Sequence, residues 1–427
     1  MDAKVTRRDE TGMTIQFRVE FGPSMLSTEE KVQTALNEAG AMVTSEALAQ
    51  FDTDGDPIVV GGVRMTTKGR QTKEYQTPYG PVDVDRHVYQ RGGGGKTFCP
   101  MEDKARILGS ATPRFAMQIS HKYAEFGASR VCEDLLECHG RKIAKSFVQN
   151  LADTVAAVAL LKEEDWSYVT PKLEQPVRTI GIGLDGTCML MCEDGWREAM
   201  VGTIALYDGA GDRLHTTYVS ATPEYGKETF LVRLALEVER IKNAYPKAVT
   251  VGVADGAVGN WEFLKRHAQN HVLDFYHATE YLGKVADAVF KGKAKSLERK
   301  EWLESACHRL KHNHTAPITL VAEMNEFRRR HIGDEGRVVI DSAVTYFKNN
   351  RDRMVYAEHL SRNLPIGSGV TEAACKVLVK QRLCGSGMRW KEIGAASVLS
   401  LRTLTYTTGR WSQFWSKVSI YGYADAA

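Results

Sequence analysis

Three acidic residues that lie far apart in the chain are placed where an α/β fold could bring them together. Asp185 and Asp255 each end a short apolar, β-rich run, and a glycine follows each of them. Such runs are typical of strands that deliver side chains to a cleft at the edge of a sheet. Glu372 lies in the first turn of a helix predicted after a loop that contains proline and glycine. Three carboxylates in this arrangement predict a divalent-metal site that suits Mg²⁺, with Mn²⁺ as a substitute.

The elements that must position these acids are predicted from residue 177 onward. Strands are expected over 177–185, 198–207, 213–221, 249–255 and 271–274, and helices over 227–242, 260–267, 278–363, 370–384 and 391–415. This order is that of a ribonuclease-H-like fold that is interrupted by an all-α insertion. In that fold the first and fourth strands are parallel neighbours, about 4.8 Å apart. Asp185 and Asp255 could then share one metal ion or hold two that are roughly 3.5–4 Å apart, with Glu372 facing the same cleft.

The N-terminal part is predicted to be α+β and then helical. A helix is expected over 27–51, with a capping box that starts at Ser27, and a hairpin over 71–90. Residues 113–162 are expected to form helices that are separated at Gly127 and Gly140. A helix-turn-helix DNA-binding motif and ordinary helical packing both fit that region. Lys142 and Lys145, near the start of its last helix, are its candidate DNA contacts.

Composition places the chain among ordinary globular proteins. Its 427 residues suffice for two or three domains, and 43% are apolar and 26% charged. The N-terminal residues carry no apolar signal region and no run is long enough to span a membrane, which predicts a cytoplasmic protein without a membrane partner. The eight cysteines include no Cys-x-x-Cys pair, so reduced thiols are expected and zinc is not.

Basic and aromatic residues are interleaved near the C-terminus. Residues 376–417 contain eight Lys or Arg against one acid, together with Trp, Tyr and Phe. This pattern fits binding to a nucleic-acid backbone, and it equally fits a solvated helix face with a buried aromatic stripe. The candidate phosphate contacts are Lys376, Lys380, Arg382 and Arg389, whereas Trp390 could stack on a base or pack in the core.

Two glycine-rich stretches resemble nucleotide-binding loops, but neither is expected to bind a nucleotide. The Gly181–Gly186 spacing matches a dinucleotide-binding loop, but an extended segment follows it where a helix is needed, and Asp185 would repel phosphate. Gly92–Thr97 resembles the end of a phosphate loop, but Gln90 occupies its first glycine position and Pro100 opposes the helix that must follow. No nucleotide cofactor is therefore expected.

The chain resembles bacterial insertion-sequence transposases of the DDE type, in the Kra-type group related to Mutator-like elements. The resemblance extends from about Tyr75 to Trp415 and is sharpest over 364–376, over 382–390 and at Arg353-Met-x-Tyr356. It implies that Asp185, Asp255 and Glu372 are the catalytic metal ligands. It also implies that Asp274 and His277 form an Asp-x-x-His signature that lines the active site. His277 could then donate to the scissile phosphate, or it could be a core histidine.

The resemblance implies a DNA transposase that binds terminal inverted repeats as a homodimer on paired DNA ends. Such an enzyme cleaves DNA and transfers the strand to a target duplex by in-line phosphoryl transfer, and it would associate with the nucleoid. Two alternatives are a ribonuclease-H-like nuclease or junction resolvase that does not join strands, and a non-catalytic DNA-binding repressor derived from a transposase. Some relatives carry zinc-binding cysteines near the N-terminal hairpin, which this chain lacks.

The predicted domain organisation follows from these elements and from the resemblance. Five regions are expected: a helix with a β-hairpin (1–110), a helical DNA-binding region (111–172), the first part of the catalytic core (173–277), the α-helical insertion (278–363), and the second part of the core with basic C-terminal helices (364–420).

Overall fold

The computed structural model describes residues 4–9, 11–224, 226–330 and 333–423. The fold is mixed α/β, about 52% helical, and divides into two compact units. The first unit contains the described residues up to Trp166, with Ser400–Thr405 and those from Arg410 onward; the second contains Ser167–Leu399 and Tyr406–Gly409. The sequence predicts no signal region at the start of the chain. Residues 1–3, which belong to that stretch, lie outside the described residues. Within the described ranges, no helix combines the length and the apolar character needed to cross a bilayer.

The first unit contains two antiparallel sheets and a long helix. Its elements up to residue 91 are β1 (Lys4–Asp9), β2 (Gly12–Gln16), α1 (Met25–Ala49), β3 (Ile58–Val60), β4 (Val63–Gln76) and β5 (Pro81–Arg91). Strands β1 and β2 form one pair, and β3, β4 and β5 form a second sheet that contains the predicted hairpin. The predicted capping box is wrong in position. Ser24 caps α1, because its hydroxyl accepts a hydrogen bond from the Ser27 amide at 3.2 Å.

Four further helices of the first unit follow the sheets: α2 (Pro100–Lys104), α3 (Pro113–Glu125), α4 (Ala128–His139) and α5 (Lys145–Leu161). The last three are separated at Gly127 and Gly140, as predicted. Gly127 precedes α4, and Gly140 ends it with a φ of 62°, in the left-handed region that favours glycine. Because α5 begins at Lys145, Lys142 lies in the connecting segment rather than in a helix.

The second unit is built on a five-stranded mixed sheet. Its elements up to residue 273 are β6 (Thr179–Met191), β7 (Gly195–Tyr207), β8 (Arg213–Ala221), α6 (Glu228–Ala244), β9 (Val249–Ala254), α7 (Val258–His267) and β10 (Asn270–Leu273). The order across the sheet is β10-β9-β6-β7-β8. Strands β6, β7 and β8 are antiparallel, whereas β9 runs parallel to both β6 and β10. The predicted parallel contact between the first and fourth strands is therefore confirmed.

Strand β6 does not end at Asp185, and the expectation that it does is wrong. The antiparallel pairing with β7 continues through Asp185↔Val201 as far as Met191↔Gly195. The parallel pairing with β9 ends earlier, at Gly183↔Val253. Asp185 thus lies on a continuous strand, at the level where its neighbour β9 has ended.

The rest of the second unit is helical up to the end of the core. The elements are α8 (Phe275–Val289), α9 (Ser296–His312), α10 (Ala316–Arg329), α11 (Asp334–Asn350), α12 (Tyr356–Ser361), α13 (Gly369–Ala374), α14 (Gln381–Leu383) and α15 (Glu392–Tyr406). Within α15, Ser400–Thr405 belong to the first unit, as does α16 (Arg410–Tyr421). A π-helical turn, Cys375–Lys380, joins α13 to α14. The single helix predicted over 391–415 is wrong, because it is interrupted at Thr407–Gly409, where Gly409 has a φ of 84°.

An apolar cluster in the second unit joins the sheet to the helical block. It includes Ile182 and Val251 from the sheet, Leu264 from α7, Leu282 from α8 and Phe347 from α11. A well-packed core of this kind resists displacement of the elements that share it. The ends of β9 and β10 are therefore held in place relative to α8 and α11.

Candidate active site

Asp185 is a half-buried carboxylate that faces an open cleft. Its Oδ1 accepts a hydrogen bond from the Gly186 amide at 2.7 Å, and the thiol of Cys375 donates to its Oδ2 at 3.9 Å. Burial raises the pKa of Asp185, and the nearby negative charge of Asp255 raises it further, whereas the Gly186 amide and His277 lower it. Burial and the neighbouring negative charge thus both favour the protonated form of Asp185.

Asp255 directly follows β9 and is held by its neighbours on α7 and α11. Its Oδ1 accepts hydrogen bonds from the Ala257 amide at 3.1 Å and from the Asn260 side chain at 3.4 Å. The same Asn260 amide donates to the carbonyl of Leu184 at 3.4 Å, and the Tyr346 hydroxyl donates to the Asp255 carbonyl at 2.9 Å. Asn260 therefore ties the Asp255 carboxylate to the residue that precedes Asp185.

Glu372 is brought to the sheet by a close approach between α13 and β6. Its neighbour Thr371 is buried, and the Thr371 hydroxyl lies 2.7 Å from the hydroxyl of Thr203 on β7. A Cβ atom on Gly183 would overlap the Thr371 hydroxyl, so the glycine leaves the space that the helix occupies. The Glu372 side chain itself is exposed, and its Oε1 accepts a hydrogen bond from the Ser368 hydroxyl at 2.7 Å.

Asp274 immediately precedes α8 and His277 lies in its first turn, but their environments differ greatly. Asp274 is completely buried and caps the helix: one carboxylate oxygen accepts the His277 amide at 2.7 Å, and the other accepts the Ser368 amide. The His277 side chain is about one-third exposed, and its Nδ1 lies 3.3 Å from Asp274 Oδ1. Asp274 thus uses both oxygens to hold backbone amides, at the start of α8 and at Ser368.

The acids that the sequence predicts as one metal site are only partly brought together. Within the described residues, one group of three potential ligands has atoms within 4.8 Å of one another, and it consists of Asp274, His277 and Glu372. Asp185 and Asp255 do not belong to this group, although the charge of Asp255 raises the pKa of Asp185. Glu372 thus lies close to Asp274 and His277 at the start of α8.

Asp185, His277 and Glu372 nevertheless line one open cleft, whose volume is about 750 Å³. The ammonium-bearing side chains of Lys376 and Lys380 line the same cleft and are exposed. Carboxylates suited to a hard cation, next to two lysines, form a surface that can bind a metal ion and a phosphodiester side by side.

The residues predicted to contact DNA divide into exposed and buried groups. The exposed ones are Lys142, Lys145, Lys376, Lys380 and Arg389. Arg382 is an exception to the prediction, because only 4% of it is exposed and its guanidinium lies 5.3 Å from the centre of the Trp390 ring. The Trp390 indole donates to the Leu383 carbonyl at 2.9 Å, and its backbone bonds to Leu190 on β6. These contacts favour the packing interpretation of Trp390 and give Arg382 the role of supporting it.

Several residues that contact the candidate ligands could not be selected from the sequence. Asn260 and Tyr346 hold Asp255, yet an asparagine and a tyrosine within helices are ordinary. Cys375 contacts Asp185 from the helical segment after Glu372. Ser368 is the only one of these four residues for which the sequence offers a signal, because serine is common just before a helix.

The comparisons with known proteins identify no family for this chain. A search of protein-family models found none that matches, and a search of curated proteins found no significant match. The resemblance to transposases therefore stays a prediction from the sequence motifs.

Proposed function

We propose that this protein is a divalent-metal-dependent DNA transposase, which cleaves DNA and joins it by phosphoryl transfer. The observation that carries the proposal is the position of two aspartates at the level where the parallel pairing of β6 with β9 ends. Asp185 and Asp255 each lie two residues beyond the last pairing of β6 with β9, Gly183↔Val253. Asp185 also shares its cleft with Glu372 and with two exposed lysines.

The topology of the second unit supports the catalytic part of the proposal. In chain order its strands are numbered one to five, and their order across the sheet is 5-4-1-2-3, with the first three antiparallel. From this order we infer a ribonuclease-H-like fold. The helices between β10 and α13 would then be the insertion domain, because they separate Glu372 from the strands in the sequence. Since one fold can host many functions, the site rather than the fold carries the argument.

The donor atoms at this site fit Mg²⁺ or Mn²⁺. Asp185, Asp255 and Glu372 offer carboxylate oxygens, and His277 offers an imidazole nitrogen that Mn²⁺ also accepts. The nearby thiol of Cys375 donates a hydrogen bond to Asp185, and burial and the charge of Asp185 raise the pKa of that thiol to about 12. When bound, such ions activate the attacking water or DNA 3′-hydroxyl and stabilise the leaving oxygen.

The side chains of the cleft would then divide the work on the DNA strand. Asp185 and Asp255 would hold the metal ions together with Glu372. His277 would donate a hydrogen bond to an oxygen of the scissile phosphate. Lys376 and Lys380 would bind neighbouring phosphates and set the register of the strand. Arg389 would extend this basic surface along the DNA.

The experiment that tests the proposal uses the full chain with genomic DNA that flanks its gene, in the presence of Mg²⁺ or Mn²⁺. We expect nicks at the boundary of the element, and joined products when precleaved ends are supplied with a target duplex. Asp185→Asn should abolish both, with a loss on the order of 10³-fold or more. Asp194→Asn, at the exposed β6–β7 turn, is the matched control and should leave both unchanged.

Two outcomes would replace the proposal with an alternative. Cleavage without joined products would indicate a nuclease or junction resolvase. DNA binding without any metal-dependent cleavage, unaffected by Asp185→Asn, would indicate a repressor. The homodimer expected on paired ends is tested in the same reactions, by the mass of the complex that forms on the two DNA ends.

A further inference from the structure

The carboxylate of Glu372 needs an external restraint to serve as a metal ligand. The side chain is exposed, so packing against neighbours does not fix its rotamer. A glutamate on a helix surface loses considerable conformational freedom when it is held in one geometry. The hydrogen bond from the Ser368 hydroxyl, at 2.7 Å to Oε1, supplies such a restraint.

Ser368 is well placed to restrain Glu372, because it is itself buried and held on both sides. Only 8% of Ser368 is exposed. Its carbonyl accepts the amides of Thr371 at 2.7 Å and Glu372 at 3.0 Å, and its own amide donates to Asp274 Oδ2. Its hydroxyl makes no capping bond to the backbone of α13, so the hydroxyl is directed to the Glu372 carboxylate instead.

Asp274, which accepts the Ser368 amide, is itself bonded to the residue that precedes Asp255. Asp274 is completely buried, and its amide donates to the carbonyl of Ala254 at 2.8 Å. Ala254 is the last residue of β9 and immediately precedes Asp255. A continuous path of hydrogen bonds thus runs from the residue before Asp255 through Asp274 and Ser368 to Glu372.

We propose that Ser368 is the positioning residue for Glu372, and that Asp274 is its buried anchor rather than a metal ligand. The inference rests on the proposed metal-dependent function and explains how Asp255 and Glu372, on separate elements, are held in register. A hydroxyl that donates to one carboxylate oxygen leaves the other oxygen for a cation. Hydrogen-bond partners of metal ligands commonly change metal affinity by about 10–100-fold.

The test measures Mn²⁺ binding by the metal-free full chain, by electron paramagnetic resonance, without any activity readout. We expect Ser368→Ala and Ser368→Gly to weaken Mn²⁺ binding about tenfold or more, because each removes the hydroxyl and keeps the amide that anchors the segment. Ser368→Thr retains a hydroxyl and should restore binding to within about threefold of the original chain. Ser361→Ala is the matched control, since that hydroxyl bonds to a backbone carbonyl at the end of α12.

A double substitution separates positioning from a general effect on the fold. If Ser368 acts through Glu372, adding Ser368→Ala to Glu372→Gln should weaken binding no further than Glu372→Gln alone. Circular dichroism and thermal unfolding establish that each variant is folded. If Ser368→Ala does not fold, Ser368→Gly serves in its place, because glycine is tolerated at the residue before a helix.

The outcomes distinguish this inference from the function on which it rests. Normal Mn²⁺ binding in both hydroxyl-free variants, or failure of the threonine variant to restore it, overturns the positioning role alone. Equal effects of Ser368→Ala with and without Glu372→Gln overturn it as well. Absence of Mn²⁺ binding by the original chain, or binding that is insensitive to Glu372→Gln, overturns the proposed metal site and the positioning role together.

Discussion

At the scale of single residues, the environment of Cys375 determines the chemistry that is open to it. Its sulfur contacts Asp185 Oδ2, and burial, followed by the negative charge of Asp185, raises the pKa of the thiol to about 12. A protonated thiol can donate a hydrogen bond to a carboxylate. Cys375 therefore supports Asp185 as a hydrogen-bond donor.

Alkylation of the folded protein checks this assignment. At about pH 8, iodoacetamide should modify the exposed Cys138, Cys188 and Cys192 first, and Cys375 roughly 10³-fold more slowly, because so little thiolate is present. Peptide mass spectrometry over time measures each rate. Labelling of Cys375 as fast as the exposed thiols would contradict the assignment, and labelling after denaturation is the control for reactivity.

A second residue-scale prediction concerns His359 and pH. His359 is 2% exposed, its Nδ1 donates to the Pro365 carbonyl at 3.1 Å, and burial lowers the pKa of its imidazole. The folded chain thus keeps it neutral, whereas the unfolded chain protonates it near its ordinary pKa of about 6.5. Its contribution to stability is complete above that value and is lost as the pH falls below it, by up to about 1.4 kcal/mol per pH unit until the folded-state pKa is reached.

Unfolding in urea between about pH 5 and 8 measures this contribution. His359→Gln should show a shallower loss of stability below about pH 6.5 than the original chain, because glutamine does not titrate and can still donate to Pro365. Equal slopes in the two proteins would show that another group controls the acid sensitivity.

At the scale of elements, the approach of α13 to β6 depends on one glycine. Gly183→Ala should force the Thr371 hydroxyl away, shift α13, and lower the free energy of unfolding by about 1–3 kcal/mol. Adding Thr371→Ala removes the overlapping hydroxyl and should recover part of that loss. Gly259→Ala, on α7 with open space around the new Cβ, is the matched control and should not destabilise. Urea unfolding gives each value, and an undiminished stability of Gly183→Ala would contradict the close packing.

The sequence predicts an element well where its local residue pattern is enough to specify it. Apolar runs marked the strands, and the parallel pairing of β6 with β9 followed from their order. The sequence does not predict the continuation of β6 past Asp185, because an Asp-Gly pair is typical of a strand end, whereas pairing with β7 keeps this pair extended. It does not predict the break before α16 either, since Thr407–Gly409 lies within an otherwise helical pattern.

The geometry of the candidate site was less predictable than its residues. Asp185, Asp255 and Glu372 could be selected from the sequence, but the proximity of Glu372 to Asp274 and His277 depends on a tertiary contact through Ser368. Sequence patterns do not specify rotamers or long-range hydrogen bonds.

At the scale of the whole molecule, the proposed function requires the cleft to bind a polyanion. Lys376 and Lys380 are exposed in the cleft, so Lys376→Ala together with Lys380→Ala should weaken duplex DNA binding. If each lysine neutralises one phosphate, the slope of log affinity against log salt should fall by about 1.8. Fluorescence anisotropy at several salt concentrations measures this slope. Lys300→Ala, which is exposed on α9, is the control, and an unchanged slope in the double variant would place the DNA elsewhere.

The most direct test of the proposed metal site is a crystal structure of the full chain grown with Mn²⁺, in which anomalous scattering locates the ion. We expect one or two peaks in contact with the carboxylates of Asp185 and Asp255, with Glu372 drawn to one of them. A peak held by Asp274, His277 and Glu372 without either strand aspartate, or no peak at all, would contradict the proposal.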